Sequence, residues 1–309
     1  MPLGETSKSP SLQRLRDFAS EIVFNPEARP LTESELIPLL SGCDGCVAGL
    51  DYFTANVIES AKNLKVISRF GVGYDRIDAE AARRKNIAVC NTPGANAKAV
   101  ADHTFALLLS AARDVHTLDR KTKAGQWPKS SGIELTNKNL GILGLGSIGK
   151  EVAIRARGFS MNVFAYDPVI DNDFVKTNNI ISTDFDTVIR EADFLTLHMP
   201  LTPETKYVIS SDVFKVMKKG AFLLNTARGA LIDNAAAYEF LSSGHLGGFG
   251  LDVYEDEPPP RLPFFDLENV VLTPHVSANT EEAKENMARM SVQNLIEVLS
   301  GSQCRNIVN

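Results

Sequence analysis

Asn139-Leu140-Gly141-Ile142-Leu143-Gly144-Leu145-Gly146-Ser147-Ile148-Gly149-Lys150 is the stretch on which the fold turns. A short apolar run leads into a turn, and glycines occupy the three positions of G-x-G-x-x-G before an amphipathic segment begins. The pattern reads strand, tight turn, helix. Gly144 permits the turn, Gly146 lets a pyrophosphate approach the backbone, and Gly149 allows close helix–sheet packing. The helix start at Ser147 and Ile148 supplies N–H donors and partial positive charge for phosphates. A second strand, Asn162–Tyr166, follows, and Asp167 closes it roughly 20 residues beyond the last glycine, where a ribose ligand is expected. A carboxylate there accepts bonds from the ribose hydroxyls of NAD and repels the extra phosphate of NADP. Asp before Pro168 is also a common turn cap, and the two uses are compatible.

Outward from this unit, short apolar runs alternate with amphipathic stretches. Candidate strands are Gly45–Gly49, Val66–Arg69, Ala88–Asn91, Leu140–Leu143, Asn162–Tyr166, Phe194–Leu197, Ala221–Asn225, Phe249–Asp252 and Val270–Leu272. Several are continuous Val/Ile/Leu/Phe runs, as in parallel strands covered on both faces. Helix-like segments lie between them, at Ser34–Leu40, Ile77–Lys85, Ala97–Arg113, Gly149–Arg157, Phe185–Glu191, Ser210–Met217 and Asn234–Ser243. The alternation predicts an α/β architecture of doubly wound parallel sheets, with too many strands for one sheet. Two Rossmann-like, flavodoxin-like domains follow: residues 1–97 with 283–309, and an inserted cofactor domain, 98–282. The apolar-faced segment Ala97–Lys123 is expected to be a long helical connector, and Thr280–Leu299 a final helix crossing back to the first unit.

Composition narrows the class. The chain has 309 residues, 44% of them hydrophobic and 23% charged, with a net charge of −6. Lys and Arg are scattered, so no footprint for nucleic acid is present. No apolar run approaches the roughly 20 residues of a membrane span. The start, MPLGETSKSPSLQRL, lacks the apolar core of a secretory signal, which points to the cytoplasm. The 4 cysteines do not form a disulfide framework in a chain of this length. Cys43 and Cys46 form a C-x-x-C with no second pair to complete a zinc site, so Cys46 reads as a small buried hydrophobe and no metal is expected.

Three segments downstream suit chemistry at a nicotinamide ring. Asn225-Thr226-Ala227-Arg228-Gly229 follows a strand, where open α/β sheets bind ligands. Arg228 there can grip a carboxylate and polarise a neighbouring carbonyl. Leu251-Asp252-Val253-Tyr254-Glu255-Asp256-Glu257-Pro258 is rich in carboxylates, and Leu272-Thr273-Pro274-His275-Val276-Ser277 brings a histidine able to exchange a proton near neutral pH. His103, His116, His198 and His245 compete for that role, and position after a strand favours His198 as well as His275.

The sequence resembles the D-isomer-specific 2-hydroxyacid dehydrogenases, the family that contains phosphoglycerate dehydrogenase. The resemblance is carried by Phe70-Gly71-Val72-Gly73-Tyr74-Asp75, Asn91-Thr92-Pro93-Gly94-Ala95-Asn96, the glycine turn, His198-Met199-Pro200-Leu201-Thr202, Asn225–Asp233, Gly250–Pro258 and Thr273–Ser277. It implies an active site in the cleft between two domains, with Arg228, Glu257 (rather than Glu255) and His275 as catalytic residues. It implies that Val72 and Gly73 bind the substrate carboxylate through backbone amides. His198, Pro200, Thr202, Thr205, Thr226, Ala227 and Asp252 fall on the cofactor side, with Asp252 at the nicotinamide amide and His275 beside the ring. In the implied chemistry a hydride passes between NAD(H) and a 2-oxo acid while His275, aligned by Glu257, donates the proton. Arg228 stabilises charge on the carbonyl oxygen. Arg69 stands where phosphoglycerate dehydrogenases meet the substrate phosphate, which makes 3-phosphoglycerate and phosphohydroxypyruvate the expected pair, ahead of glyoxylate or hydroxypyruvate. The family also implies a homodimer, through a surface like that of Gly125-Gln126-Trp127. An NAD-sensing corepressor of the same fold is the rival reading. Family members open with an apolar strand, whereas this chain opens on a polar, Pro-bearing stretch, so the first strand is expected to be missing.

Overall fold

The computed structural model describes residues 3–27 and 29–309. Met1 and Pro2 of the polar opening stretch lie outside them. In chain order the first elements are α1 (Pro10–Phe18), α2 (Glu33–Leu40), β1 (Gly45–Ala48), α3 (Ala55–Ser60), β2 (Val66–Arg69), α4 (Ala79–Arg84) and β3 (Ala88–Cys90). Next come α5 (Ala97–Ala112), α6 (Val115–Lys123), β4 (Asn139–Leu143), α7 (Ser147–Gly158), β5 (Asn162–Tyr166), α8 (Asn172–Thr177), β6 (Ile181–Ser182) and α9 (Phe185–Glu191). The chain continues through β7 (Phe194–Leu197), α10 (Ser211–Val216), β8 (Phe222–Asn225), α11 (Asn234–Ser242), β9 (Gly248–Leu251), β10 (Val270–Leu272) and α12 (Glu281–Leu299).

Two compact units emerge: one runs to Asn96 and takes up again at Asn279–Asn309, the other is Ala97–Ala278. The return falls before α12, a few residues ahead of the boundary expected at 283, because the helix packs as one piece on the first unit. Its N-terminus is capped by the Thr280 side chain, which accepts from the Ala283 N–H at 3.1 Å.

In the first unit β1-β2-β3 form a parallel sheet. Among the described residues no strand precedes β1. The early segment instead forms α1, whose Leu12 is fully buried and whose Ser11 hydroxyl donates to Glu285 of α12 at 2.7 Å. Cys43 and Cys46 are half-buried free thiols, and burial pushes the Cys46 thiol up to about 12. Among the described residues no cluster of His, Cys, Asp and Glu could hold a metal, and no helix is long and apolar enough to cross a membrane.

In the second unit all seven strands are parallel, in the order β10-β9-β8-β7-β4-β5-β6. The central strands are buried along their length, as expected of a sheet covered on both sides. Strand order reverses between β4 and β7, which places a ligand-binding crevice at their carboxyl ends. The connector Ala97–Lys123 is two helices, the first ending within a residue of the helix-like segment Ala97–Arg113. Asp114 takes a left-handed conformation (φ 53°), and the Ala112 carbonyl turns to accept from the Ile133 N–H at 2.8 Å, so the first helix stops and a second begins. Strand β6 escaped the sequence reading because it is only 2 residues long and exposed at the sheet edge, too short to show a pattern.

Candidate active site

At the end of β4 the chain must turn under the backbone that follows β7. A Cβ on Gly144 (φ 96°) would stand 2.6 Å from the His198 carbonyl carbon, and one on Gly149 only 2.1 Å from the Gly144 oxygen. Neither position tolerates a side chain. Gly146 is the opposite case: nothing lies within 4 Å of where its Cβ would be. That open side belongs to a cavity of about 480 Å³ lined by Leu145, Gly146, Ser147, Lys150, Asp167, Val169, Ile170 and Asp171. Asp167 uses one oxygen to accept from Leu145 N–H (2.7 Å) and the other from Val169 N–H (2.8 Å). It therefore pins the glycine turn and caps its own turn, while each carboxylate oxygen keeps a second lone pair for a ligand. A bare helix start, an unobstructed glycine and an acceptor at the next strand end fit a dinucleotide.

The loop after β7 lies over the turn. His198 N–H donates to the Leu143 carbonyl at 2.7 Å, and Thr205 folds the segment by donating to the Pro200 carbonyl and accepting from Thr202 N–H, both at 2.8 Å. His198 Nε2 meets Thr196 Oγ1 at 2.9 Å, its Nδ1 is buried without a partner, and burial pushes its pKa down to about 3. A ring kept neutral, with Nε2 engaged by Thr196 and Nδ1 enclosed, has neither an ionised proton nor a free nitrogen to offer a substrate, which makes His198 a poor general acid.

Beyond β8, Asn225 braces the next loop, donating to the Arg228 carbonyl at 2.8 Å and accepting from Ala227 N–H at 2.9 Å. Thr226 is buried with its hydroxyl 3.0 Å from that of Thr104. Gly229 packs so closely on Tyr254 and Glu255 that a Cβ would lie 2.1 Å from the Tyr254 carbonyl carbon, which sets Arg228 beside the carboxylate-rich loop. The Arg228 side chain donates to the Ala227 carbonyl at 2.7 Å.

His275 has a positive φ of 53°, an uncommon conformation for a residue with a side chain. Both oxygens of Glu257 lie 2.9 Å from its Nδ1, which leaves Nε2 as the outward nitrogen. Glu257 also accepts from Tyr254 N–H at 3.2 Å. Glu255 points elsewhere and accepts from the Tyr207 hydroxyl at 2.6 Å. Asp252, fully buried, accepts from Val276 and Ser277 N–H and from the Thr273 hydroxyl at 2.8, 2.8 and 2.7 Å. Its visible task is to clamp the loop that carries His275. Of the other histidines, His103 bonds Thr273 Oγ1 at 2.9 Å, His116 bonds the Glu268 carbonyl, and His245 bonds the Met217 carbonyl.

In the first unit Arg69 closes β2 and bends back on the loop after it. Its Nε donates to the Gly73 carbonyl at 3.0 Å and its Nη1 to the carbonyls of Phe70 and Ala48. Sequence reading missed the bracing residues Asn225, Thr104 and His103, and the clamping task of Asp252. A polar residue at a strand end looks alike in sequence whether it serves ligand or loop.

Residues 105–277 match the family profile described as D-isomer specific 2-hydroxyacid dehydrogenase, NAD binding domain. A D-3-phosphoglycerate dehydrogenase of Archaeoglobus fulgidus is 43% identical over 258 residues, 82% of this chain and 49% of its own. A glyoxylate reductase of Korarchaeum cryptofilum is 38% identical over 306 residues, 96% of this chain and 92% of its own. The TT0316 protein of Thermus thermophilus, a solved structure, superposes with a TM-score of 0.84 at 38% identity, covering 97% of this chain and 96% of that one. The chain spans about half the length of the phosphoglycerate dehydrogenase it matches.

Proposed function

We propose, from the premise that this chain belongs to the D-isomer-specific 2-hydroxyacid dehydrogenase family, that it is an NAD-dependent oxidoreductase interconverting a 2-hydroxy acid and its 2-oxo acid. The observation that carries the reading is the His275–Glu257 pair, with both carboxylate oxygens 2.9 Å from Nδ1. Glu257 fixes the tautomer and stabilises the imidazolium, leaving Nε2 to hand a proton to a carbonyl oxygen. Arg228 supplies fixed positive charge for the oxygen as it becomes anionic. Gly146, Ser147, Ile148 and Asp167 hold the dinucleotide, with Pro200, Thr202, Thr205, Thr226 and Ala227 on loops at the carboxyl ends of the same strands. Bound NADH supplies the hydride. The amides of Val72 and Gly73 take the substrate carboxylate. The first unit is the substrate domain and the second the cofactor domain.

Two substrate classes compete. The position of Arg69 favours a phosphorylated acid such as phosphohydroxypyruvate, which would place the enzyme in serine biosynthesis. The bonds of Arg69 favour a short unphosphorylated acid, glyoxylate or hydroxypyruvate, because Nε and Nη1 are spent on its own loop. We take the second as the better supported. A homodimer through Gly125-Gln126-Trp127 belongs to the same reading and accounts for a Trp127 that is 85% exposed. So does a cytoplasmic setting. Oxidation of NADH, followed at its absorbance band with glyoxylate, hydroxypyruvate and phosphohydroxypyruvate, tests the proposal. Binding of NADH without turnover on any of them would leave an NAD-binding interaction module instead.

A further inference from the structure

We propose that Arg69 and Asn91 are positioning residues that set the substrate-carboxylate loop by capturing its carbonyls, so that Arg69 acts on the substrate through the loop rather than by touching it. This rests on the 2-oxo acid reading above. Four consecutive carbonyls after β2 are held. Phe70 O accepts from Arg69 Nη1, Gly71 O from Thr92 N–H at 3.0 Å, Val72 O from Asn91 Nδ2 at 2.9 Å, and Gly73 O from Arg69 Nε at 3.0 Å. The guanidinium fills the curl of the loop: a Cβ on Gly71 (φ 146°) would lie 3.1 Å from its central carbon.

A trans peptide points its N–H opposite to its C=O. Each captured carbonyl therefore turns the following N–H away from its captor, and those donors belong to Gly71, Val72, Gly73 and Tyr74. None of the four has an acceptor among the described residues. Unpaired backbone donors in a row make an anion site, and the loop has no helix start to supply them.

Asn91 is itself fixed. Its carbonyl accepts from Asn294 Nδ2 of α12 at 2.8 Å, and its N–H donates to the Asn306 carbonyl at 3.2 Å. Asn294, 1% exposed, also accepts from Asn306 Nδ2 at 2.8 Å. The orientation of the loop is thus referred back to the buried face of α12.

Asn91→Asp keeps size and fold while replacing the donor to Val72 O by an acceptor. It is expected to raise KM for glyoxylate about tenfold with kcat within threefold and NADH affinity unchanged. Arg69→Met is expected to raise KM for glyoxylate and for phosphohydroxypyruvate by similar factors, because the same carboxylate is lost in both. A rise confined to phosphohydroxypyruvate would make Arg69 a phosphate ligand and overturn the proposal. Titration of the NADH complex with oxamate, read by amide NMR, should shift Gly71, Val72, Gly73 and Tyr74 in the native protein and require roughly tenfold more oxamate in Asn91→Asp. This titration reads the loop even if no acid is turned over, which separates failure of the inference from failure of the proposed activity. Unshifted amides at those positions, or equal oxamate affinity in the two proteins, would end it.

Discussion

His198 and His275 each follow a parallel strand of the same sheet, and on position alone either could serve as the proton donor. Their surroundings differ in two respects. His275 has a carboxylate on Nδ1 and an outward Nε2, whereas His198 has a threonine hydroxyl on Nε2 and a buried, unpartnered Nδ1. His275 sits on a loop with positive φ clamped by the buried Asp252, whereas His198 continues a sheet by donating to Leu143. A histidine becomes an acid through its partner and its freedom to face a substrate, not through its place after a strand.

The comparison breaks most directly by deletion. His275→Ala should lower kcat/KM for 2-oxo acid reduction by about 10²–10⁴-fold, the usual contribution of a positioned acid, with NADH affinity nearly unchanged by fluorescence titration. His198→Asn should cost less than tenfold. Equal losses would mean that the chemical difference between the two rings does not decide their roles. The clamp comes next in size. Asp252→Ala strands the backbone N–H groups of Val276 and Ser277, at about 1–3 kcal/mol for each group left unsatisfied. Thermal unfolding should fall by several degrees, and turnover should fall with it as the His275 loop loosens. A variant of native melting temperature would show that the positive φ needs no brace.

These two residues also mark how far the sequence could be read. The glycine turn was legible because its constraints are local: strand, φ, close approach and helix start all lie within Asn139–Lys150. Parallel strands such as β7 and β8 were legible from unbroken apolar runs. The choice of His275 over His198, and of Glu257 over Glu255, came from resemblance, because the deciding contacts join residues far apart in the chain. Asp252 shows the same limit from the other side. The resemblance gave it a task at the nicotinamide, while its observed bonds run to a loop more than twenty residues onward. Asn91 was visible in a motif, but its task depends on Val72 and Asn294, which no local pattern connects to it. Strand β6 was missed because a strand of 2 residues exposed at the sheet edge leaves no periodic trace.

A smaller effect sharpens the role of the carboxylate. Glu257→Gln keeps an acceptor for His275 and for Tyr254 N–H but removes the negative charge. Hydrogen bonds to an ion are roughly twice as strong as neutral ones, so turnover should fall about tenfold while substrate KM moves little. Glu255→Gln, whose partner is the exposed Tyr207 hydroxyl, should leave turnover unchanged within twofold. If the two variants behaved alike, the pairing at 2.9 Å would not be the one that matters.

The smallest effect belongs to His198 and appears only in acid. Burial holds its pKa at about 3, against an ordinary value of about 6.5. Between those values the unfolded chain binds a proton at this ring that the native protein does not. The contribution of His198 to stability is therefore flat above about pH 6.5 and declines as pH falls from there toward 3. Imidazole NMR should show the ring neutral from pH 8 to pH 5. The proton should sit on Nε2, because that tautomer donates to Thr196 Oγ1 and leaves Nδ1 a bare lone pair, which costs less to bury than an unmet N–H. His198→Asn should remove this part of the acid sensitivity in urea unfolding at pH 5 while leaving stability at pH 8 nearly as it was. A ring that titrates near pH 6.5 would erase the distinction from His275 and return both histidines to the candidates for proton donor.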